Sequence, residues 1–205
     1  MMLNPIPFWF LRHGETDWNA EGLSQGQSDI PLNKVGHMQA ERAARTLAGT
    51  KITTIVASPL SRARITAETV AAALGLPVSL DPELMEVNFG VQEGKPMGDW
   101  YDDWIADTYT PEGAEPFAML RARTVRAINR ATALPGPVMV VAHGALWRAF
   151  RHEAGLPAMS AHPMPCRFSR SLVPGNGCWT LLNSHRKAET WQKRNPAGRS
   201  SRVGA

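Results

Sequence analysis

Cysteine is scarce in this chain: Cys166 and Cys178 are the full complement of 205 residues, and they form no CxxC pair. So few thiols cannot staple a secreted scaffold, so both read as reduced and structural, with no metal role. Long hydrophobic runs are also missing. The longest, such as Pro5 to Leu11 and Pro137 to Ala142, fall far short of the roughly 18 residues needed to cross a bilayer, so neither a transmembrane span nor a membrane partner is expected. The first eleven residues hold no Lys or Arg, and their apolar run leads straight into Arg12 and His13. The basic start and small-residue cleavage site of a signal peptide are therefore lacking, and the expected location is the cytoplasm. There is no internal repeat, no low-complexity segment, no Walker A sequence and no GxGxxG.

The charge is unevenly spread. The total is +4 with a sequence pI of about 9.4. From residue 186 onward, Arg186, Lys187, Lys193, Arg194, Arg199 and Arg202 face Glu189 alone, a local +5 that leaves the first 185 residues at −1. The body is thus nearly neutral, and the excess sits in a basic stretch with one aromatic, Trp191, for base stacking. Such a stretch reads as a solvated terminus, with nucleic-acid binding a minor alternative.

With 43% hydrophobic residues the chain can bury a core, which excludes disorder and fibrous repeats. Apolar, β-branched runs alternate with segments of helical period, the pattern of an α/β fold with a mostly parallel central sheet flanked by helices. Strands are expected at Ile6 to Leu11, Thr53 to Ala57, Val78 to Leu80, Val138 to Ala142, Cys166 to Leu172 and Cys178 to Leu182. Ala63, Ala67, Val70 and Leu74 mark one helical stripe, and Phe117, Leu120, Thr124, Ile128 and Ala131 another. Residues 95–116, with Trp100, Tyr101 and Trp104 among Asp99, Asp102, Asp103 and Asp107, keep neither period for long and read as a small lid or insertion. The expected organisation is one domain over residues 1–185, containing that insertion, followed by a basic tail over 186–205.

Two tripeptides carry the chemistry. Arg12-His13-Gly14 follows FWFL, and Ala142-His143-Gly144 follows VMVV. Strand carboxyl ends face the ligand crevice of an open α/β sheet, so both imidazoles should converge on one pocket, each followed by a glycine that lets backbone approach a ligand. A third strand runs into Ser58-Pro59-Leu60-Ser61-Arg62. Arg62 then lies on the same rim as Arg12, and two guanidinium forks suit phosphate or carboxylate.

The segments LRHGETDWN (11–19), SQGQSDIPLN (24–33), ASPLSRARITAETV (57–70), LMEVNFGVQEG (84–94) and VAHG (141–144) together resemble the histidine phosphatase superfamily, the phosphoglycerate mutase-like group, in order and spacing over roughly residues 6–182. The resemblance implies that His13 is the nucleophile, becoming a phosphohistidine at Nε2 that water then hydrolyses. It implies that Arg12, Arg62 and His143 hold the phosphate, with Asn19, Gln25 and the backbone at Gly144 as further donors. Glu86 matches the position of the general acid that protonates the leaving alkoxide. The same cations that disfavour a protonated His13 would neutralise the phosphoryl oxygens. Glu93 reads as structural.

The activity implied is that of a metal-independent histidine acid/base phosphatase acting on a small phosphorylated metabolite, with no cofactor. A phosphoglycerate mutase-type phosphotransfer and a non-catalytic phospho-ligand-binding module are the alternatives. The longer basic insertion of such mutases is missing, since Lys95 is the one cation between Gln92 and Pro116. Where many relatives have GRxQG this chain has Leu23, and Pro116 replaces the serine of PGGES after Glu115. The acidic, aromatic insertion suggests an apolar or cationic portion of substrate beyond the phosphate. Self-association into a homo-oligomer is left open. Gly22-Leu23-Ser24-Gln25-Gly26 matches GxSxG without the strand and helix that a nucleophile elbow needs, and His152-Glu153 begins an HExxH pattern that Leu156 ends.

Overall fold

A computed structural model describes residues 2–156 and, beyond them, the strands Arg167–Arg170, Trp179–Asn183 and Glu189–Trp191. Chain order gives β1 (Phe8–Arg12), α1 (Asp17–Ala20), α2 (Lys34–Leu47), β2 (Thr54–Ala57), α3 (Ser61–Leu74) and β3 (Val78–Leu80). There follow α4 (Trp100–Ile105), α5 (Phe117–Thr132), β4 (Val138–Ala142), α6 (Gly144–Glu153), β5 (Arg167–Arg170), β6 (Trp179–Asn183) and β7 (Glu189–Trp191). The sheet order is β3-β2-β4-β1-β5-β6-β7. Its first four strands are parallel and its last three antiparallel. The fold is α/β, with helices on both faces of a mainly parallel core. Among the described residues no helix is long and apolar enough to cross a membrane.

The parallel strands are covered on both sides, so they read as continuous apolar runs rather than alternating ones. One set of alternate side chains, Phe8, Phe10, Val138, Val140 and Ala142, packs on Ala127, Ile128 and Ala131 of α5 and on Leu146, Trp147 and Phe150 of α6. The other set, Leu11, Ile55, Ala57, Met139 and Val141, packs on Ala43, Ala44 and Leu47 of α2 and on Ala67, Val70 and Ala71 of α3. Every residue of β4 is buried, and full burial of a Val or Met side chain contributes about 1.5–3 kcal/mol. Of the two expected helical stripes, Ala67, Val70, Phe117, Leu120, Ile128 and Ala131 lie in these clusters or in the one described next, Leu74 packs against one of them, and Ala63 and Thr124 are buried as well.

Local signals explain the boundaries. β1 begins two residues later than the apolar run, because Pro7 has no N–H to give to the ladder. The Asn33 side chain accepts from the Gly36 N–H at 2.8 Å and starts α2. α3 ends at Gly75, in the left-handed conformation with φ 67°. The strand β7 falls inside the stretch read as a basic tail from residue 186, where it pairs with β6. Three residues are too few to show an alternation, so periodicity could not reveal it. Cys166, Cys178 and the cations of the tail lie outside the described residues.

Two aromatics of the insertion over residues 95–116 turn inward: Tyr101 and Trp104 are buried with Val87, Phe89, Phe117, Leu120, Ala145 and Ala149 in a third apolar cluster, whereas Trp100 is half-buried and Tyr109 exposed. Trp104 Nε1 donates to the Glu115 carbonyl at 2.9 Å. The spacing of Tyr101 and Trp104 on α4 puts both rings on one face, and hydrophobic burial turns that face inward while Asp99, Asp102 and Asp103 remain exposed. An apolar or cationic ligand portion therefore draws no support from these two rings.

Candidate active site

Three adjacent strands end on one level. In the register of β1 with β4, Arg12 lies opposite Ala142, and in that of β2 with β4, Ala57 lies opposite Val141. The ladder continues one step further: the His13 N–H donates to the Ala142 carbonyl at 3.1 Å and the Ser58 N–H to the Val141 carbonyl at 3.0 Å. β4 lies between β2 and β1, so His143 stands between Ser58 and His13 at the carboxyl edge of the sheet. The rings of His13 and His143 are 5.1 Å apart, centroid to centroid. The convergence expected from two strand-His-Gly frames is what the register produces.

His13 is buried, and its Nδ1 lies 2.7 Å from the Gly14 carbonyl oxygen. A carbonyl can only accept, so Nδ1 carries the proton and Nε2 holds the lone pair. Burial, followed by the charges of Arg12 and Arg62, pushes the His13 pKa well below the ordinary value, with the Gly14 hydrogen bond acting weakly the other way. His143 is pushed down likewise, by burial first and then by Arg62, His13, Arg12 and Arg123. Both rings are therefore neutral at pH 7.

Arg62 is wholly buried at the start of α3. Its Nη1 donates to the Ser28 carbonyl at 2.8 Å and its Nη2 to the Gly26 carbonyl at 2.7 Å. Burial lowers its pKa to about 10, against the opposing fields of Glu86, Asp29 and Glu93, so it stays charged at neutral pH. The loop that holds it is itself clamped by Glu93. That carboxylate accepts from the Gln27 N–H (2.8 Å), the Phe89 N–H (3.2 Å), the Ser28 N–H (3.0 Å) and the Ser28 hydroxyl (2.6 Å). Gly26 has φ 54°, and a Cβ there would overlap the Glu93 carboxylate, so both backbone conformation and space require glycine. A structural reading of Glu93 agrees with this geometry.

Glu86 is buried at the N-terminus of α6. Its Oε2 accepts from the Ala145 N–H at 3.1 Å, and its Oε1 from the Leu146 N–H at 3.3 Å and the Val87 N–H at 3.1 Å. Two of these donors are the unpaired amides of a helix start, where negative charge is favoured. The Glu86 loop is fixed from behind by Arg123 of α5. This guanidinium donates to the carbonyls of Glu83 (2.9 Å), Met85 (2.7 Å) and Glu86 (3.2 Å) and forks onto Glu115 at 2.9 and 2.6 Å.

The remaining expected donors are less uniform. Gln25 is buried, and its Oε1 has no partner among the described residues. Asn19 is half-buried in α1, where its Oδ1 accepts from the Thr16 N–H at 3.3 Å in a capping box. Gly144 is the first residue of α6, and a Cβ on it would sit 3.7 Å from the Arg12 guanidinium carbon, an ordinary contact. Gly14 differs: a Cβ there would overlap the backbone of Gly36 in α2, so this glycine admits a helix rather than a ligand. Ser24 is buried in a loop, with its hydroxyl 3.8 Å from Met97 Sδ, which is no setting for a nucleophile. His152 is exposed at the end of α6, beside Arg121 and Glu153.

Two residues that sequence reasoning passed over belong to the site's frame. Ser58 lies 2.8 Å from His143 Nε2, and Arg123 clamps the Glu86 loop. Arg123 carries a signal: it follows Glu115 by eight residues and begins a row of arginines at helical spacing on α5, with Arg126 and Arg130 one and two turns on. Ser58 carries none, since its partner is 85 residues away.

A cluster of two neutral imidazoles, two guanidiniums and a carboxylate at a sheet edge can bind a phosphoryl group and attack it. Residues 8–195 match the model of the histidine phosphatase superfamily (branch 1). The chain is 39% identical over 151 residues to a probable phosphoglycerate mutase of Yersinia enterocolitica, covering 68% of this chain and 70% of that one. A probable phosphoglycerate mutase of Yersinia pestis is 37% identical over 166 residues, covering 75% and 77%. Among solved structures, a mycobacterial glucosyl-3-phosphoglycerate phosphatase in complex with VO3 superposes with TM-score 0.70 at 28% identity, covering 91% of this chain and 98% of that one. A phosphoserine phosphatase of Entamoeba histolytica, in complex with 3-phosphoglyceric acid, gives TM-score 0.68 at 25% identity over 80% and 89%.

Proposed function

Because the chain belongs to the histidine phosphatase superfamily, we propose that it is a metal-independent phosphomonoesterase that hydrolyses a small phosphorylated metabolite through a phosphohistidine on His13. The observation that carries this reading is the state of His13: neutral, with its proton held on Nδ1 by the Gly14 carbonyl, which puts the lone pair on Nε2. Nε2 forms a bond to phosphorus as the ester P–O bond breaks. Arg12, Arg62 and His143 hold the equatorial oxygens, helped by Asn19, Gln25 and the Gly144 N–H, and Glu86, protonated as the phosphate dianion enters beside it, gives that proton to the leaving alkoxide. Water then attacks phosphorus, Glu86 takes a proton from it, and the P–N bond breaks to release phosphate and restore His13. The guanidiniums supply the positive charge that a phosphoryl transfer needs, which leaves no step for a metal.

Mutase-type phosphotransfer is the second reading, favoured by the names of the Yersinia relatives. A mutase must hold a second phosphate, and Lys95 is the one cation between Gln92 and Pro116. The two phosphatases among the structural relatives support hydrolysis. The deciding experiment assays the purified protein, with chelator present, on an aryl phosphate and a panel of metabolite phosphates including 3-phosphoglycerate and phosphoserine, with mutase activity followed in parallel. Hydrolysis lost in His13→Ala is the expected result. Interconversion of phosphoglycerates without release of phosphate would establish the mutase instead, and silence on every ester would leave a phospho-ligand-binding module.

A further inference from the structure

His143 is buried at the phosphate site, and its two ring nitrogens are in unequal surroundings. Nε2 lies 2.8 Å from the Ser58 hydroxyl oxygen, whereas Nδ1 has no partner among the described residues. As the residue preceding α6, His143 could have used Nδ1 to accept from the first amides of the helix. It makes no such bond, because the Ala145 and Leu146 N–H groups are taken by the Glu86 carboxylate. An unprotonated Nδ1 would thus find no donor, while a protonated one needs an acceptor that the protein does not provide.

The hydroxyl settles which nitrogen carries the proton. Ser58 is fully buried, its oxygen already accepts from the Leu60 N–H at 3.3 Å, and its backbone is fixed in the ladder by the bond to Val141. A buried O–H left without an acceptor is costly. Among the described residues the one acceptor for it is His143 Nε2. With the hydroxyl donating there, the ring proton must sit on Nδ1.

We infer that Ser58 is a positioning residue that keeps the proton of His143 on Nδ1, turning that nitrogen into a hydrogen-bond donor for a phosphoryl oxygen. The inference rests on the phosphate-binding reading of the site and specifies how one of its groups works. Ser58 itself never touches the substrate. It selects the tautomer, so that a histidine kept neutral by burial still offers N–H to an anion.

Nitrogen-15 NMR of the imidazoles in the full-length protein reads the tautomer directly, with the His143 signals identified by their loss in His143→Gln. The expected spectrum has the proton on Nδ1; a proton on Nε2 would make Ser58 an acceptor and overturn the inference. In Ser58→Ala the preference for Nδ1–H should disappear and orthovanadate, as a phosphate mimic, should bind about tenfold more weakly, the loss of roughly one hydrogen bond. An unchanged tautomer with unchanged vanadate affinity would overturn it as well. If Ser58→Ala does not fold, the wild-type spectrum decides alone. Failure of the phosphatase reading is seen separately, as turnover that survives in His13→Ala while the His143 spectrum stands.

Discussion

Gly14 and Gly144 occupy the same place in two similar tripeptides, after His13 and after His143, yet their surroundings differ. A methyl group on Gly14 would strike the Gly36 backbone, which cannot yield without moving α2, whereas one on Gly144 would meet the Arg12 side chain at 3.7 Å. Gly14→Ala should therefore cost about 1–3 kcal/mol in urea unfolding, the range for overpacking. Gly144→Ala should stay within about 1 kcal/mol of the parent and keep its N–H for an anion. For Glu86, the proposed role makes a sharper statement. Glu86→Gln should slow alkyl phosphates by about two orders of magnitude or more and an aryl phosphate far less, since a phenolate leaves without protonation. Equal losses on both substrates, measured as kcat, would remove Glu86 from the acid's role.

The clamp between α5 and the Glu86 loop shows how helices and loops share the work. Arg123 is 13% and Glu115 15% exposed, and the arginine serves three carbonyls besides its ion pair. Arg123→Ala would leave a nearly buried carboxylate uncompensated, and the expected loss is about 3–5 kcal/mol, read from chemical denaturation. How much of this could be read from the sequence depended on the distance over which each signal acts. The apolar runs VMVVA and TIVA and the stripes of α3 and α5 announce themselves locally, because burial on a strand or a helix face leaves a period in the chain. The convergence of His13 and His143 was legible for the same reason, as each directly follows such a run. The inward turn of Tyr101 and Trp104, the strand β7 and the partner of Ser58 were not, because each depends on a neighbour remote in sequence. The glycine after His13 misled for a related cause: its close contact is with α2 and not with a ligand.

Two buried neutral imidazoles tie the stability of the protein to pH. The pKa values of His13 and His143 lie well below 6.5 in the folded state and return toward it on unfolding. Between those limits the unfolded chain binds more protons than the folded one, so stability increases with pH through the window and is lost as pH falls below about 6.5. The thermal midpoint should accordingly drop on acidification from pH 7, and the drop should shrink in a His13→Ala variant. Activity should resist acid longer than free histidine would, with the limb due to His13 lying below pH 6.5. Because burial is the first cause of the shift and Arg12 the second, Arg12→Ala should move that limb upward only in part.

The amides of His13 and Ser58 are bonded into the sheet beyond the ends of β1 and β2, to the carbonyls of Ala142 and Val141. Hydrogen exchange at these two positions should then require opening of the central sheet, and its rate should report the free energy of global unfolding rather than that of a local fluctuation. The proposed site residues come from chain positions as far apart as residues 13 and 143, and nothing shorter than the assembled sheet holds them together. Loss of activity in denaturant should therefore coincide with loss of the sheet. The proposed catalytic centre then has no melting point of its own.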